Sequence, residues 1–557
     1  MSFFKGRNNR SEGQKAEGLE RLYVNARLVD QDLDCPGSVL TAGGLIREVF
    51  PGDPEGRAYK ALALKARTES GSCAAGPCAA GTSSPAGSGG AASGGAVFGG
   101  VEVIDAKGLV LTPSFIDLHA HFRDPGYTHK EDLASGSRAA CAGGYGTVVL
   151  MANTDPVVSD AAHARAVRER AAETGLVDVY QAVSLTRAFD GKDVSALAAL
   201  DSREVPIATE DGREVASAAV MLSAMKLCAE RGVTVSCHCE DPELAAAAKP
   251  FREAALAAAR DAGLAPGVLS VPGGFVPTKP PPSAAPGVRE HLAEAERLLA
   301  LAEDVMTERN LLLARSAACR VHIAHASTAR AIDAVRRAKA DAAASCEAGT
   351  NEKTSPDAGA SASGFRVTCE VTPHHLALDD SIPAVVNPPL RPARDREAVV
   401  AGILDGTVDA IATDHAPHTT ADKAAGAPGF SGIQSAFAVC NTVLVRSGLI
   451  PLSRLSQLMS AHPACILGLG ESKGRLAAGW AADLVLLDPD SPCVFSGESP
   501  SGGNTSHWFS RSANAAPYAS SPACAQLYGR IEAVWKDGEL AYTREQEAGR
   551  HRHERKK

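Results

Sequence analysis

The amino-acid sequence predicts an α/β fold, in which a TIM-type (β/α)8 barrel stands beside a small β-sandwich domain built from both chain ends. Two observations lead to this prediction. Short β-branched runs alternate with stretches of helical composition through about 350 central residues, and closing such a parallel sheet into eight strands is economical at this length. Toward both ends of the chain, the apolar runs instead indicate antiparallel strands.

The antiparallel strands are predicted near both termini. They cover 21–29, 43–50 and 101–111 on the N-terminal side, and 482–488 and 530–542 on the C-terminal side. The last stretch contains Asp537-Gly538, a strong hairpin signal. Because chain termini often lie close together, we expect one composite β-sandwich formed by residues 20–112 and 468–545.

The barrel is predicted over residues 113–467. After a first strand at FIDLH, its strands are expected at 146–150, 233–237, 320–324, 365–371 and 408–413, and its helices at 130–142, 161–174, 216–231, 288–309 and 326–340. Three stretches rich in small or polar residues, near 66–100, 341–364 and 491–526, interrupt this pattern. Such compositions do not supply a packed core, so we expect surface insertions rather than extra domains.

The composition is that of a globular protein. The 557 residues include 45% hydrophobic and 22% charged residues, and 56 Lys+Arg against 65 Asp+Glu give a net charge of −9. Without concentrated basic residues, neither nucleic acid nor an anionic membrane is expected as the main partner. The start, MSFFKGRNNRSEGQ, is too polar for a signal peptide, and the chain contains no run of about 18 apolar residues, so we expect a cytoplasmic protein with no membrane segment.

The fourteen cysteines are scattered, and several lie in apolar runs, namely Cys228, Cys369, Cys440 and Cys465. We therefore expect buried thiols rather than disulfides.

The densest chemical signal is FIDLHAHFRDPG, residues 115–126. Side chains two positions apart on a strand face the same side, so His119, His121 and Arg123 can project together. Two imidazoles at this spacing indicate a metal-binding pair, and the arginine can clamp a carboxylate. Taken alone, the motif could equally be two exposed loop histidines.

Three further strand ends carry residues of the same kind. VTVSCHCED places His238 after a strand, RVHIAHAS places His325, and VDAIATDHAPH places Asp414 with His418. Barrel enzymes keep their active sites at the carboxyl ends of strands, so we expect these groups to converge. Imidazoles and carboxylates without thiolates suit catalytic Zn²⁺. The candidate carboxylate to bridge two ions is Asp211, with Glu210 as its competitor.

Eight ordered motifs resemble those of the amidohydrolase superfamily, and most closely those of bacterial dihydroorotases of the long, aspartate-bridged type. In chain order they are HAHFRDPG, MANTDP, TEDG, HCED, AHAS, EVTPHHL, NPPLR and ATDHAPH. Three departures are Glu210 in TEDG, Ala152 in MANTDP, and the Gly-Phe order in APGFSG. None of them removes an implied ligand.

The resemblance implies a site with two Zn²⁺ per subunit. His119 and His121 would bind one ion, Asp211 would bridge, and His238 and His325 would bind the second ion. Asp414 would be both a ligand of the first ion and the general base and acid. The implied substrate-binding residues are His121, Arg123, Asn153, Asn387, His418, Pro428 and Gly429.

The activity implied by the resemblance is the reversible cyclisation of N-carbamoyl-L-aspartate to (S)-dihydroorotate and water in de novo pyrimidine biosynthesis. Arg123 would supply a permanent cation for the substrate carboxylate, and the two asparagines would offer donors and acceptors. Asp414 would carry a proton between oxygen and nitrogen. Aspartate carbamoyltransferase and a second copy of the chain are candidate partners.

Two alternatives stay open at this point. One is another cyclic-amide hydrolase, namely a hydantoinase, dihydropyrimidinase or allantoinase, which commonly bridge their metals with a carbamylated lysine and lack the arginine found here at Arg123. The other is a non-catalytic barrel that acts as a scaffold for aspartate carbamoyltransferase. Retention of all the implied ligands disfavours the scaffold.

Overall fold

A computed structural model describes residues 19–59, 96–98, 101–261, 286–347, 364–382, 384, 386–424, 427–495, 505–506, 508–511, 518 and 521–544. Most of the predicted insertion near 66–100 lies outside these residues, as do residues 348–363 of the second one.

The strands of the described residues are numbered in chain order. They are β1 Glu20–Val29, β2 Asp34–Ala42, β3 Leu45–Pro51, β4 Ala96–Phe98, β5 Val101–Asp105, β6 Val110–Pro113, β7 Phe115–Ala120, β8 Tyr145–Leu150, β9 Asp178–Gln181, β10 Val183–Ser184, β11 Ile207–Thr209, β12 Thr234–Cys237, β13 Arg320–Ile323, β14 Arg366–Val371, β15 Ala410–Ile411, β16 Leu484–Phe495, β17 Thr505–Ser506, β18 Leu527–Lys536 and β19 Glu539–Thr543.

The α-helices are numbered in the same way. They are α1 Leu133–Ala142, α2 Ala161–Ala172, α3 Ala218–Arg231, α4 Pro242–Asp261, α5 Pro286–Ser316, α6 Ala329–Glu347, α7 Pro373–Ala377, α8 Ala393–Leu404, α9 Thr420–Ala424, α10 Ala436–Cys440, α11 Leu452–Ser456 and α12 His462–Ile466. Short 3-10 and π segments lie between some of them.

Strands from both chain ends share one ten-stranded sheet. The N-terminal strand β6 pairs with β1 in parallel and with the C-terminal strand β16 in antiparallel register. The predicted Asp-Gly hairpin joins β18 to β19, and both Asp537 and Gly538 have positive φ, at 50° and 76°. The core of this sheet includes Tyr23 and Trp535, whose rings meet edge to face with centroids 5.0 Å apart.

Two parallel sheets lie between these end strands in the sequence. One has the order β7-β8-β9, and the other runs from β10 to β15 in chain order. An isolated parallel bridge connects Ala120, the last residue of β7, with His415 just beyond β15. Since neighbouring strands are parallel, their carboxyl ends lie along the same edges.

Two features of the end sheet were not anticipated by the sequence pattern. The predicted strand 101–111 is two strands, because a turn in which the Leu109 amide donates to the Ala106 carbonyl separates β5 from β6. Strand β2 was missed because it contains Pro36 and Gly37. A side chain at position 37 is disfavoured, since a Cβ there would lie 2.8 Å from the backbone carbonyl oxygen of Phe50, besides 2.5 Å from Leu28 Cδ1.

The other two predicted insertions are partly built into the fold. Residues 341–347 continue helix α6, and Phe495 at the end of β16 packs on a core cluster that buries Tyr518 and Cys524 with Phe430. The expectation of a surface loop is therefore wrong for these residues. In the third insertion the reason is that single aromatic and cysteine side chains, within a stretch of small and polar residues, still pack against the rest of the protein.

Among the described residues, no helix has both the length and the apolar character needed to cross a bilayer. The described cysteines are free thiols, and most of them are buried as expected. Cys465 is an exception, because it lies on the exposed face of the short helix α12.

Candidate active site

The two histidines at the end of β7 are buried, with 1% and 5% of His119 and His121 exposed. His119 Nδ1 lies 3.0 Å from Glu370 Oε1, and His121 Nδ1 lies 2.9 Å from Asn153 Oδ1. Since these oxygens accept hydrogen bonds, each Nδ1 carries the proton. In the neutral ring, each Nε2 then carries the lone pair that a metal ligand needs.

The carboxylate of Asp211, two residues beyond β11, faces both of these nitrogens. Its Oδ1 lies 3.4 Å from His119 Nε2, and its Oδ2 lies 3.6 Å from His121 Nε2. On the other side, Oδ1 lies 3.2 Å from His238 Nδ1 and 3.8 Å from His325 Nε2. Asp211 thus stands between two pairs of imidazoles, as the sequence predicts for a bridging carboxylate.

These spacings fit a metal site. Donor atoms around tetrahedral Zn²⁺, at about 2.0–2.2 Å from the ion, lie about 3.3 Å from one another. The imidazole nitrogens of His238 and His325 are 3.0 Å apart. His119 Nε2 is buried and makes no hydrogen bond within the described part of the chain. Two groups of three metal-capable side chains result, His119 with His121 and Asp211, and Asp211 with His238 and His325.

The environments of Glu210 and Asp211 distinguish these neighbouring acids. Burial acts to raise the pKa of Asp211, but the charge of His119, with the contacts of the other imidazoles, holds it well below its ordinary value. Glu210 instead accepts hydrogen bonds from the amide and hydroxyl of Thr186, and burial raises its pKa to about 7. Glu210, the predicted competitor, therefore binds the backbone amide and hydroxyl of Thr186, whereas Asp211 faces the imidazoles.

Asp414 lies just beyond β15, with Oδ1 3.2 Å from His121 Nε2 and 3.7 Å from His119 Nε2. Burial acts to raise its pKa, but the hydrogen bond from His121 and the charge of His119 lower it below its ordinary value. The carboxylate form, which can accept a proton, is therefore favoured. Its backbone has a φ of +46°, in the left-handed region that costs about 1–3 kcal/mol and often marks functional positions.

The backbone beside Asp414 is tied to β7 by the buried carboxylate of Asp117. Asp117 Oδ1 accepts from the Thr413 amide at 2.9 Å and from the His119 amide at 3.2 Å. The acid thus fixes two strand ends that carry predicted site residues. Sequence reasoning missed it, although an acidic residue inside the apolar strand FIDLHA is a usable signal, because buried acids need such partners.

Within the described residues, the guanidinium of Arg123 has hydrogen-bond partners along one edge only. Its Nε lies 3.3 Å from the Pro417 carbonyl oxygen, and its Nη2 lies 3.2 Å from His418 Nε2. Burial and the positive charge of Arg123 lower the pKa of His418 to about 3, so the neutral imidazole accepts this hydrogen bond. Nη1 makes no hydrogen bond within the described residues, which leaves an edge of the guanidinium for an anion.

The two predicted substrate asparagines lie at the imidazoles. Asn153 donates from Nδ2 to Asp211 Oδ2 at 3.0 Å, in addition to its contact with His121. Asn387 Nδ2 lies 3.4 Å from His238 Nε2 and 3.3 Å from Glu240 Oε2. Each asparagine therefore touches groups of the candidate metal site.

Two of the three departures from the family motifs are Ala152, next to Asn153, and the Gly-Phe order at Gly429. Ala152 is fully buried, and its carbonyl accepts from the Thr154 amide at 2.8 Å, so the loop carrying Asn153 is closed by a hydrogen bond. At Gly429, φ is +134°, and an added Cβ would lie 2.7 Å from Ala416 Cβ. Gly429 therefore packs on the segment that carries His418, while the neighbouring Pro428 is exposed.

Glu370 is the main buried site residue that sequence reasoning missed. It accepts from His119 Nδ1 and lies 3.0 Å from His322 Nε2. Burial acts to raise its pKa, but His322 and His119 lower it to about 2. His322, which lies inside strand β13, therefore contacts the site through Glu370. The signal for Glu370 is a lone acid within the strand RVTCEV.

The two histidines of EVTPHHL, His374 and His375, lie at the end of strand β14. His375 contacts the Pro388 and Pro389 carbonyl oxygens at 3.2 and 3.3 Å, next to Asn387. His374 packs on Phe430, with ring centroids 5.3 Å apart. Neither contact reaches a predicted ligand directly, so His375 supports the loop that carries Asn387.

Comparisons with known proteins show the family of the chain. The model of the amidohydrolase family matches residues 110–540. A dihydroorotase of Clostridium botulinum is 35% identical over 444 residues, which cover 79% of this chain and 90% of the relative. A dihydroorotase of Anaeromyxobacter dehalogenans is 37% identical over 398 residues, which cover 69% and 78% of the two chains.

Solved structures show the same fold at lower identity. The L-hydantoinase (dihydropyrimidinase) from Arthrobacter aurescens has a TM-score of 0.65 at 18% identity and covers 93% of this chain and 95% of its own. The dihydropyrimidinase from Brevibacillus agri has a TM-score of 0.64 at 18% identity, with 94% of each chain covered. At this identity the likeness concerns the fold alone, whereas the sequence relatives confirm the resemblance of the ordered motifs. The chain therefore belongs to the amidohydrolase family and, within it, to the dihydroorotases.

Proposed function

We propose that this cyclic amidohydrolase uses two Zn²⁺ ions to interconvert N-carbamoyl-L-aspartate and (S)-dihydroorotate in de novo pyrimidine biosynthesis. The observation that carries the proposal is the position of the Asp211 carboxylate between two pairs of buried imidazoles, with Asp414 beside one pair. Acids and imidazoles without thiolates are the ligands that catalytic zinc sites use.

The residues for the metals follow from these contacts. His119, His121 and Asp414 would hold one ion, His238 and His325 the other, and Asp211 both. When bound, the ions supply Lewis acidity toward a carbonyl and lower the pKa of water.

Asp414 is the residue suited to move the proton. In ring opening, the oxygen of water adds to the C4 carbonyl carbon of dihydroorotate, and the bond from C4 to the ring nitrogen breaks. Asp414 accepts the proton lost by the water and returns it to the leaving nitrogen. Its lowered pKa favours the carboxylate needed for the first of these transfers. Ring closure reverses both steps and releases water.

Substrate recognition is assigned to the groups that face this site. Arg123, held in place by Pro417 and His418, would bind the substrate carboxylate through the free edge of its guanidinium. Asn153 and Asn387 would exchange part of their present contacts for the polar edge of the substrate. His121, His418 and the Pro428–Gly429 segment would complete the pocket.

The same residues distinguish this function from the two alternatives that the sequence leaves open. A hydantoinase, dihydropyrimidinase or allantoinase would be favoured by a lysine between the two imidazole pairs, and this position holds Asp211. A non-catalytic scaffold would be favoured by lost ligands, and the predicted ligands are all present and buried. Aspartate carbamoyltransferase and a second copy of the chain are kept as proposed partners.

The architecture proposed around the site is a closed (β/α)8 barrel. Two observations support it. Strands β7 to β15 follow one another in chain order and give eight positions when β9 and β10 are counted as one. The bridge between Ala120 and His415 connects the first of these strands with the segment after the last one. We assign residues 113–467 to this barrel and residues 20–112 with 468–545 to a β-sandwich. The antiparallel pairing of β6 with β16 supports joining the two ends in one domain.

The test combines metal analysis with turnover. Elemental analysis should find two zinc ions per chain, and the wild type should open dihydroorotate, followed by loss of the ring's ultraviolet absorbance. Asp414→Asn should reduce kcat by at least about 1,000-fold, whereas the exposed control Asp490→Asn should keep it within twofold. A folded, zinc-loaded wild type without turnover, alone and with aspartate carbamoyltransferase added, would refute the proposal.

A further inference from the structure

Glu131 is a completely buried acid on the loop that follows Arg123, and its exposed fraction is 0%. It precedes Asp132, which caps helix α1. A buried carboxylate is costly unless hydrogen-bond donors surround it. The identity of those donors therefore says what the acid holds in place.

Two of the donors come from a segment nearly 380 residues further along the chain. Ser510 donates its hydroxyl to Glu131 Oε2, and the Arg511 amide donates to Oε1 at 3.2 Å. Ser135 in helix α1 donates its hydroxyl to Oε1. Residues 508–511 belong to the stretch that the sequence predicts as a surface insertion, yet they supply half of this environment.

The remaining contact of Glu131 leads toward the active site. His415 Nε2 lies 3.5 Å from Glu131 Oε2. On the opposite side of the ring, the Gly432 amide donates to His415 Nδ1 at 3.2 Å. Since Nδ1 accepts, the neutral ring carries its proton on Nε2, which faces Glu131 but makes no hydrogen bond within the described residues.

His415 connects this contact to two site residues through its backbone. It follows Asp414 directly, and its carbonyl oxygen accepts from the His121 amide at 2.8 Å. Fixing the His415 ring therefore fixes the turn on which Asp414 adopts its left-handed φ. The same turn sets the position of His121.

The rest of the 508–511 segment is docked around the same loop. Phe509 donates its amide to Gln434 Oε1 at 3.0 Å. Arg511 pairs with Asp132 at 2.5 Å and donates to the Thr128 carbonyl oxygen at 3.1 Å. The segment thus contacts both the loop after Arg123 and the loop after Asp414.

We infer that residues 508–511 are a positioning element of the active site, in which Ser510 and the Arg511 amide orient Glu131, and Glu131 orients His415 and with it Asp414 and His121. Ser510, Arg511, Glu131 and His415 would act through Asp414 and His121 and are not assigned to the substrate pocket. The inference rests on the proposed function for its kinetic part and on the proposed metal ligands for the rest. It assigns a role to a segment whose composition suggests none.

The test uses the full chain with Ser510→Ala, and Ser510→Thr as the conservative variant that keeps the hydroxyl. Loss of the hydroxyl should lower kcat about tenfold with KM within twofold, and should weaken Zn²⁺ retention against a chelator about tenfold, because groups that orient ligands carry effects of this size. Ser510→Thr should restore both quantities to within about threefold of the wild type. The matched control is Ser447→Ala, which removes an exposed hydroxyl that donates to the Val443 carbonyl, and should change neither.

Zn²⁺ retention and the absorption spectrum of the Co²⁺-loaded chain are measured without substrate, so they separate this inference from the proposed reaction. A purely structural role would lower the melting temperature of Ser510→Ala and leave kcat, retention and spectrum at wild-type values, which would overturn the inference. If Ser510→Ala does not fold, Glu131→Gln takes its place with the same expected losses. Unchanged retention and spectrum in the folded variant would likewise overturn the inference.

Discussion

Arg391 Nη2 donates to Glu303 Oε2 across 3.0 Å in the interior, where 2% and 4% of the two residues are exposed. Arg391 Nε also donates to Ser327 Oγ at 3.0 Å. Ser327 lies two residues after His325, and Arg391 lies four residues after Asn387. One guanidinium therefore joins the loop of a predicted ligand to the loop of a predicted substrate contact.

We predict that Arg391→Met lowers the free energy of unfolding by about 3–5 kcal/mol, because it leaves the Glu303 carboxylate buried without its cation. Urea denaturation at fixed zinc concentration measures the change. The double variant Arg391→Met/Glu303→Gln should recover part of the loss, since the Glu303 charge is then gone, while the charge of Glu296, which lies 3.0 Å from Arg391 Nη1, remains. Arg446→Met, which breaks an exposed pair with Asp490, should cost less than about 1 kcal/mol. Equal losses in Arg391→Met and the double variant would contradict the charge argument.

We predict that Arg123→Met raises KM for dihydroorotate by about 100-fold, with a smaller fall in kcat. The reason is that the variant removes the cation for the substrate carboxylate and leaves Asp414 in place. Arg123→Lys should recover only part of the affinity, because lysine keeps the charge and loses the planar fork held by Pro417 and His418. Initial rates over a range of substrate concentrations separate the two constants. An unchanged KM in Arg123→Met would exclude the clamp.

We predict that zinc stabilises the chain through the imidazoles at Asp211. Zinc at about 100 times its dissociation constant should raise the free energy of unfolding by about 2.7 kcal/mol for each ion bound, since binding to the native state alone shifts the equilibrium by this amount. His238→Ala should lose the share of the ion that His238 and His325 would hold, about half of the gain, because the residues for the other ion remain. His163→Ala, which removes an exposed imidazole beside Asp160, should keep it. Thermal unfolding with and without chelator measures the effect, and an equal gain in His238→Ala would place the stabilising zinc elsewhere.

The sequence was sufficient to predict which strand-end side chains lie together, because strand periodicity and strand order determine which side chains meet at a carboxyl edge. His119, His238, His325 and Asp211 lie together for this reason. The long-range partners of buried acids were not predictable in the same way. Glu370 meets His119 across 251 residues and Glu131 meets Ser510 across 379, and no local period encodes such pairings.

In the ten-stranded sheet formed by both chain ends, local sequence likewise predicts some elements and misses others. Its hairpin at Asp537-Gly538 was predictable, since the two residues carry the positive φ values that the turn needs. Strand β2 was not, because Pro36 and Gly37 oppose local strand propensity, and tertiary packing of Gly37 against Leu28 decides the outcome.

We predict that Asp178, at the start of β9, stabilises the contact between the parallel strands and the end sheet in a pH-dependent way. Its Oδ2 lies 2.8 Å from Lys473 Nζ and 3.1 Å from Lys536 Nζ. Burial acts to raise its pKa, but the two lysine charges lower it from 3.8 to about 2. A lowered carboxyl pKa in the folded state gives stability that is complete above the unfolded value of 3.8 and is lost as the pH falls toward 2.

Asp178→Asn should therefore cost about 1 kcal/mol at pH 7, a value reduced for solvent screening because 41% of the side chain is exposed. About half of this cost should be gone at pH 3, where the unfolded carboxyl is already protonated. Urea denaturation of wild type and variant at both pH values measures the difference. Asp490→Asn, at a side chain that is 83% exposed, should change the free energy by less than about 0.5 kcal/mol at either pH. A cost of Asp178→Asn that is the same at pH 3 and pH 7 would mean that its hydrogen bonds, and not its charge, stabilise the contact.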